Sequence, residues 1–297
     1  DLEYKEAYYR RGNAYSDIKE YEKAIEDYSK AIELEPENAV YYNNRGTAYK
    51  NMKEYEKAIT DYTKAIELNP ENADYYYRGN AYYEKREYDK AIIDYNKAIE
   101  LDSGYKEAFY KRGNVHKNKK EYEKAIEDYT KAIELDPGNA DYYFIRGDTY
   151  GLIGKYEKEI KDYTKAIEIN PENADYYCNR GFIYGNMKNY ENAIADYTKA
   201  IELNPSSENF NSRADLYKKM GKDDEKFYEK ALSDANKTIE MDPENADYYY
   251  SRGVIFLELK NYNKTIKDFS KAIELNPENA EYYRIRGMIY YKINKEY

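Results

Sequence analysis

The chain has 297 residues, 43 of them tyrosine and none tryptophan, with 36% charged and 41% hydrophobic: a strongly polar chain that still carries enough apolar side chain to bury a core. Its 58 acidic against 48 basic residues give a net charge of −10, the wrong sign for a nucleic-acid binder, which needs a basic stripe. One cysteine and one histidine exclude an internal disulfide framework, thiolate clusters and multi-histidine metal sites, and no apolar run approaches the length of a membrane span.

In chain order, Tyr8, Gly12, Tyr15 and Ile18 fall three and four residues apart, one face of a helix. A charged turn follows at Lys19-Glu20, and Ala24, Ile25, Tyr28, Ala31, Ile32 and Leu34 form a second helical stripe that Pro36 ends. Asn38 precedes the alanine that opens the next helix, where its side chain can accept from the free N–H groups of the first turn. The pair of helices then recurs. Arg-Gly stands at 11–12, 45–46, 78–79, 112–113, 146–147, 180–181, 252–253 and 286–287, a period of 34 with one step of 33. The 72-residue gap between Gly181 and Gly253 hides one more unit, in which Arg213-Ala214 replaces Arg-Gly and an insertion falls between Leu216 and Glu229. All seven prolines keep the same phase, and Asn72, Asn139, Asn173, Asn245 and Asn279 repeat the capping position. Units at 5–38, 39–71, 72–105, 106–139, 140–173, 174–206, 207–245 (with the insertion), 246–279 and a partial 280–297 make the chain one array with no linker or second domain. Both ends read as cuts through a longer array, or as caps of an unfamiliar kind.

Neither helix of one unit can bury its stripe alone, so the hairpins must stack. The glycine and the alanines 12 and 19 residues after it are small and belong where helix axes approach. Tyrosines at −4, +3, +9 and +16 from the glycine fill the space between helices. Those four positions hold 28 of the 43 tyrosines, so most of the aromatic excess is core. His116 occupies a +3 position and reads as a packed core residue. Ala235 stands where other units have a large aromatic, which predicts looser packing. Glu159 stands at a small position and is expected to reach solvent or an arginine, because an unpartnered buried carboxylate is costly.

The recurring pattern, written in the second unit as Tyr42, Gly46, Tyr49, Tyr55, Ala58, Tyr62, Ala65 and Pro70, closely resembles the tetratricopeptide repeat, whose period is 34 residues. The resemblance covers essentially the whole chain. It implies an all-α solenoid of antiparallel helix-turn-helix repeats wound into a right-handed superhelix, whose first helices line a concave groove for peptides or partner proteins. This chain departs from the family in placing arginine, not leucine, before the glycine: Arg11, Arg45, Arg78, Arg112, Arg146, Arg180, Arg213 and Arg252. Aspartate recurs at Asp27, Asp61, Asp94, Asp128, Asp162, Asp196, Asp234 and Asp268. The two sets are equally far from the hairpin turn, so they predict a charge-assisted Arg–Asp ladder within or between hairpins. The rival reading is an arginine row lining the groove for an acidic ligand.

The face of the first helix left after packing supplies the groove candidates. The first four units offer Tyr9, Asn13, Asn43, Asn44, Tyr76, Asn80, Tyr110 and Asn114, with Tyr77, Tyr83, Lys111, Lys117 and Asn118 beside them. The middle offers Phe144, Ile145, Leu152, Cys178 and Phe182, and the end Tyr250, Val254, Leu257, Arg284, Ile285, Met288 and Tyr291. Asparagines can hold a peptide backbone by paired donor and acceptor, and apolar positions can take anchor side chains. Some relatives hold a chain-terminal carboxylate through lysine, asparagine and arginine on three successive units. Here Asn13 and Asn44 stand at suitable positions, but Tyr9 and Tyr77 occupy the lysine and arginine places, so that clamp is incomplete. No phosphate loop, metalloprotease motif or nucleophile elbow is present. The expected function is a non-catalytic, cofactor-free and metal-free scaffold that binds another protein or peptide, with no nucleic-acid partner and no membrane insertion. The alternatives are a structural array that self-associates end to end, or the recognition arm of a larger enzyme.

Overall fold

The computed structural model describes residues 2–71 and 74–296, with side chains from 4 to 293. Helices form throughout and no strand occurs among the described residues. They fall into two compact units, Asp1–Lys155 and Tyr156–Tyr297. The first holds α1 (Leu2–Asp17), α2 (Tyr21–Leu34), α3 (Ala39–Asn51), α4 (Tyr55–Leu68), α5 (Asp74–Glu84), α6 (Tyr88–Leu101), α7 (Lys106–Asn118), α8 (Tyr122–Leu135) and α9 (Ala140–Leu152). The second holds α10 (Tyr156–Ile169), α11 (Ala174–Asn186), α12 (Tyr190–Leu203), α13 (Ser207–Met220), α14 (Lys226–Met241), α15 (Ala246–Glu258), α16 (Tyr262–Leu275) and α17 (Ala280–Glu296). Within each unit a first helix packs on the second helix of its hairpin, and that second helix packs on the first helix of the next, as α1 on α2 and α2 on α3.

The helix ends follow from local chemistry. Asn38, Asn139, Asn173, Asn245 and Asn279 each accept from a first-turn N–H at 2.9–3.1 Å; Asn72 lies outside the described residues. The turn inside the hairpin puts one residue in the left-handed region: Lys19, Lys53, Arg86, Lys120, Lys188 and Lys260, and Gly154 in the fifth hairpin. That residue closes the first helix through paired backbone bonds such as Lys19 N to Ser16 O at 3.0 Å and Glu20 N to Tyr15 O at 2.9 Å, the usual capping geometry.

The core is a row of tyrosine rings lying on glycines. Tyr28, Tyr62, Tyr95 and Tyr129 are fully buried or nearly so, and a methyl group on Gly12 or Gly113 would stand 2.8 or 2.7 Å from the Tyr28 or Tyr129 ring. Only glycine leaves room for such a contact. The seventh hairpin reverses the sizes. Ala214 replaces the glycine and Ala235 the ring, both are buried, and Tyr217, Tyr228 and Ile255 pack in the same cluster. Ala235 therefore sits in a filled core, against the expectation of looser packing. The insertion is taken up by the turn and by a longer second helix: α14 has 16 residues where the others have 14. Phe227 at its start stacks on Tyr217 with ring centres 6.1 Å apart. Glu159 does not reach solvent; it is 4% exposed and accepts from the Tyr163 hydroxyl at 3.0 Å. His116 is buried, with Nδ1 2.8 Å from Glu121 Oε2.

Candidate functional site

The first helices carry four kinds of position, and geometry separates them. The arginines before the glycines lie inside the stack. Arg45, Arg78, Arg112, Arg180, Arg213 and Arg252 each make two parallel N–H bonds to the aspartate of the same hairpin, at 2.5–2.9 Å. Arg11 does the same with Asp27 but is more exposed. The remaining guanidinium arm reaches back to the preceding second helix: Arg45 to Ser29, Arg78 to Thr63, Arg112 to Asn96, Arg146 to Thr130, Arg180 to Thr164, Arg213 to Thr198 and Arg252 to Asn236, at 2.6–3.1 Å. Aromatic rings flank Arg45, Arg78, Arg146, Arg180, Arg213 and Arg252 on both sides, such as Tyr42 and Tyr49 at 5.7 and 6.0 Å from Arg45. These guanidinium groups make their bonds within the seam of each hairpin and to the hairpin before it. The Ser/Thr/Asn partners went unnoticed in the sequence, although a small polar residue recurs two places after every ladder aspartate.

The tyrosines three places before the glycine also differ from expectation. Tyr9 lies against Tyr28 and Tyr41, Tyr76 against Tyr95 and Tyr105, Tyr110 against Tyr129 and Tyr142, and Tyr250 against Phe269 and Tyr282, with ring centres 4.8–6.2 Å apart. They wedge one hairpin to the next and form the floor of the face. The asparagines one place after the glycine stand on that floor. Asn13, Asn80 and Asn114 each accept from the hydroxyl of Tyr28, Tyr95 and Tyr129 at 2.8 Å. Each of these oxygens thus has one of its two lone pairs taken by that hydroxyl. Asn44 bridges the Tyr9 hydroxyl and Asn13 at 3.2 and 3.3 Å. Asn43 donates to Asp74.

Asp74 is 2% exposed. Burial pushes its carboxyl up to about 6, against the hydrogen bond from Asn43 that holds it down. Folding therefore favours the protonated acid: the contribution is fully present below the unfolded value of about 4 and is lost as pH rises through about 6. Asp74→Asn is expected to raise stability at pH 7.5 by of order 2 kcal/mol and to change it little at pH 4. Urea titrations at the two pH values check this; an equal effect at both refutes it.

The remaining candidates divide by exposure. Phe144 and Ile145 on α9, and Val254 and Leu257 on α15, are half-buried. Cys178 is half-buried and packs against the cluster of Ala193, Tyr197 and Leu216, and burial pushes its thiol up. Arg284 is held by Glu281 at 2.6 Å. Leu152 and Phe182 are 55% and 56% exposed, and Met288 is 58%. In the first unit the face opens between α3, α5 and α7 into a cleft of about 540 Å³. No helix among the described residues is long and apolar enough to cross a membrane.

A family model described as tetratricopeptide repeat matches residues 6–38, 39–72, 107–139, 174–207 and 246–279. A model described as TPR repeat matches 79–120 and 147–188, and a further tetratricopeptide repeat model matches 128–161. Among curated proteins none matches the chain. Among solved structures, a crystal structure of MamA is 30% identical over 56% of this chain and 97% of its own, with a TM-score of 0.52. MamA 41-end from Desulfovibrio magneticus RS-1 is 20% identical over 56% of this chain and 95% of its own, with a TM-score of 0.53. The APC/C hetero-tetramer Cut9–Hcn1 is 16% identical over 91% of this chain and 52% of its own, with a TM-score of 0.54; these last two likenesses concern the fold alone. The repeat models and the hairpin geometry agree, and the chain belongs to the tetratricopeptide repeat family.

Proposed function

We propose that the chain is a non-catalytic scaffold that binds a segment of another protein, extended or helical, along the face that the first helices form within a unit. One observation carries this reading. Large apolar side chains at groove positions stay in water: Leu152, Phe182 and Met288 are each more than half exposed. Covering one such side chain is worth about 1.5–3 kcal/mol, enough to make it an anchor for a partner. The asparagine N–H groups on the same face of the first unit suit the carbonyl oxygens of a bound backbone. Cross-linking followed by mass spectrometry, from native extract, tests the reading by placing the partner on first or second helices. Phe182→Asp is then expected to weaken that partner about tenfold, by roughly 1.4 kcal/mol, with helix content unchanged. Unchanged affinity, or cross-links confined to second helices, would refute the site.

A further inference from the structure

The lysines of this chain are mostly neutralised close by. On second helices they pair three residues along, as Lys30 with Glu33 at 2.9 Å, Lys97 with Glu100 at 2.7 Å and Lys131 with Glu134 at 2.6 Å. Lys50 on α3 and Lys111 on α7 differ. Both are half-buried, both line the cleft of about 540 Å³, and neither has a carboxylate within 4.0 Å among the described residues. Burial pushes the Lys50 ammonium down, and the charge of Lys111 pushes it further; Glu84 pulls the other way without reaching it. Two like charges thus share one cleft without a counterion, in a protein of net charge −10.

The rest of the lining is rich in donors. Asn80 takes one hydrogen bond from Tyr95 on its oxygen and carries amide N–H groups that can donate. The Tyr83 hydroxyl accepts from Asn118 at 2.9 Å, which leaves its own proton to give. The Lys111 ammonium also lies 5.8 Å from the Tyr110 ring centre, which holds it beside the groove floor. Lys53 and Glu84 both stand in water at the mouth, where they are screened, which leaves Lys50 and Lys111 as the half-buried charges of the cleft. A carboxylate between the two ammonium groups offsets their mutual repulsion, and an ammonium with a charged acceptor makes the stronger class of hydrogen bond.

We propose that the cleft between α3, α5 and α7 binds a single carboxylate, the side chain of an aspartate or glutamate in the segment lying along the groove, between Lys50 and Lys111. It rests on the groove reading above. It is distinct from the incomplete three-unit clamp, because its charges come from the second and fourth hairpins and its ligand is a side chain within a segment, not a chain end.

The full chain is titrated with N-acetyl-glutamate N-methylamide, and the side-chain NMR signals of Lys50 and Lys111 are followed. The expected result is saturable movement of both signals in the millimolar range, as befits one half-exposed ion pair, and none with the glutamine counterpart. Lys50→Gln and Lys111→Gln are each expected to weaken binding about tenfold, and Glu84→Gln to strengthen it about threefold; the last decides the matter even if a lysine variant folds poorly. Equal movement by the glutamine probe, no change in either lysine variant, or inorganic phosphate or N-acetylglutamine binding tenfold tighter than the glutamate probe each overturns the assignment. If the probe binds at the two lysines while cross-links avoid the first helices, the carboxylate site stands and the groove reading fails. If cross-links map to first helices while Lys50→Gln/Lys111→Gln leaves capture unchanged, the groove reading stands and this assignment fails.

Discussion

Gly113→Ala is expected to destabilise the α7–α8 hairpin by roughly 1–2 kcal/mol, and the same substitution on a Tyr129→Ala background is expected to stabilise it by up to about 1 kcal/mol. The reversal follows from one contact. A methyl group at Gly113 would stand 2.7 and 2.9 Å from two Tyr129 ring carbons, closer than carbon atoms approach. The ring cannot swing away, being fully buried and tied by its hydroxyl to Asn114 at 2.8 Å. Overpacking of this kind costs about 1–3 kcal/mol, which the helix preference of alanine over glycine, about 1 kcal/mol, only partly offsets. Tyr129→Ala alone is expected to cost about 3–5 kcal/mol, but it removes the obstruction, so the added methyl then fills space and the helix preference acts unopposed. The seventh hairpin has made this exchange already, with Ala214 and Ala235 both buried in one cluster. Because long repeat arrays do not melt in one step, the measurement is hydrogen exchange of α7 and α8 amides in the four members of the cycle. The same sign for Gly113→Ala on both backgrounds would defeat the argument.

What could be read from the sequence was what eight copies repeat. The hairpin ends were legible because Asn38 and its equivalents cap a helix by chemistry that one residue carries. The level of Arg45 with Asp61 was legible because both lie the same distance from one turn. What escaped depends on the next hairpin, which no single unit describes. Tyr9 and Tyr76 look like groove residues on an isolated helix and become floor only when Tyr41 and Tyr105 arrive beside them. Asn80 looks unengaged until the Tyr95 hydroxyl takes one lone pair of its oxygen. Lys50 drew no notice, since nothing within its own unit distinguishes it from the salt-bridged lysines; its meaning comes from Lys111, two hairpins on. The Ser/Thr/Asn partners of the arginines did carry a periodic signal, but small polar residues on an outer helix face read as solvation unless the arginine's third arm is already placed.

Arg180→Ala is expected to cost about 3 kcal/mol in the α11–α12 hairpin, far above an exposed ion pair. Asp196 is 5% exposed and takes both its hydrogen bonds from Arg180, at 2.8 Å each. Removing the guanidinium leaves that carboxylate buried without its counterion, and desolvation makes such a remnant costlier than the intact pair is stabilising. The same change cuts the 2.9 Å bond from Arg180 to Thr164, which ties α11 to α10, and takes the cation from between Tyr177 and Tyr184. The two effects are separable. Thr164→Val removes only the tie between hairpins and is expected to cost about 1 kcal/mol, the ordinary net value of one hydrogen bond. Arg180→Met with Asp196→Leu removes both charges while keeping bulk, and is expected to recover most of the loss, because a buried pair replaced by packed apolar groups is close to neutral. Hydrogen exchange in α11 and α12 reads all three. A loss under 1 kcal/mol for Arg180→Ala, or a double variant no better than the single one, would show that the ladder holds the hairpins by packing of its aliphatic stems and not by its charges.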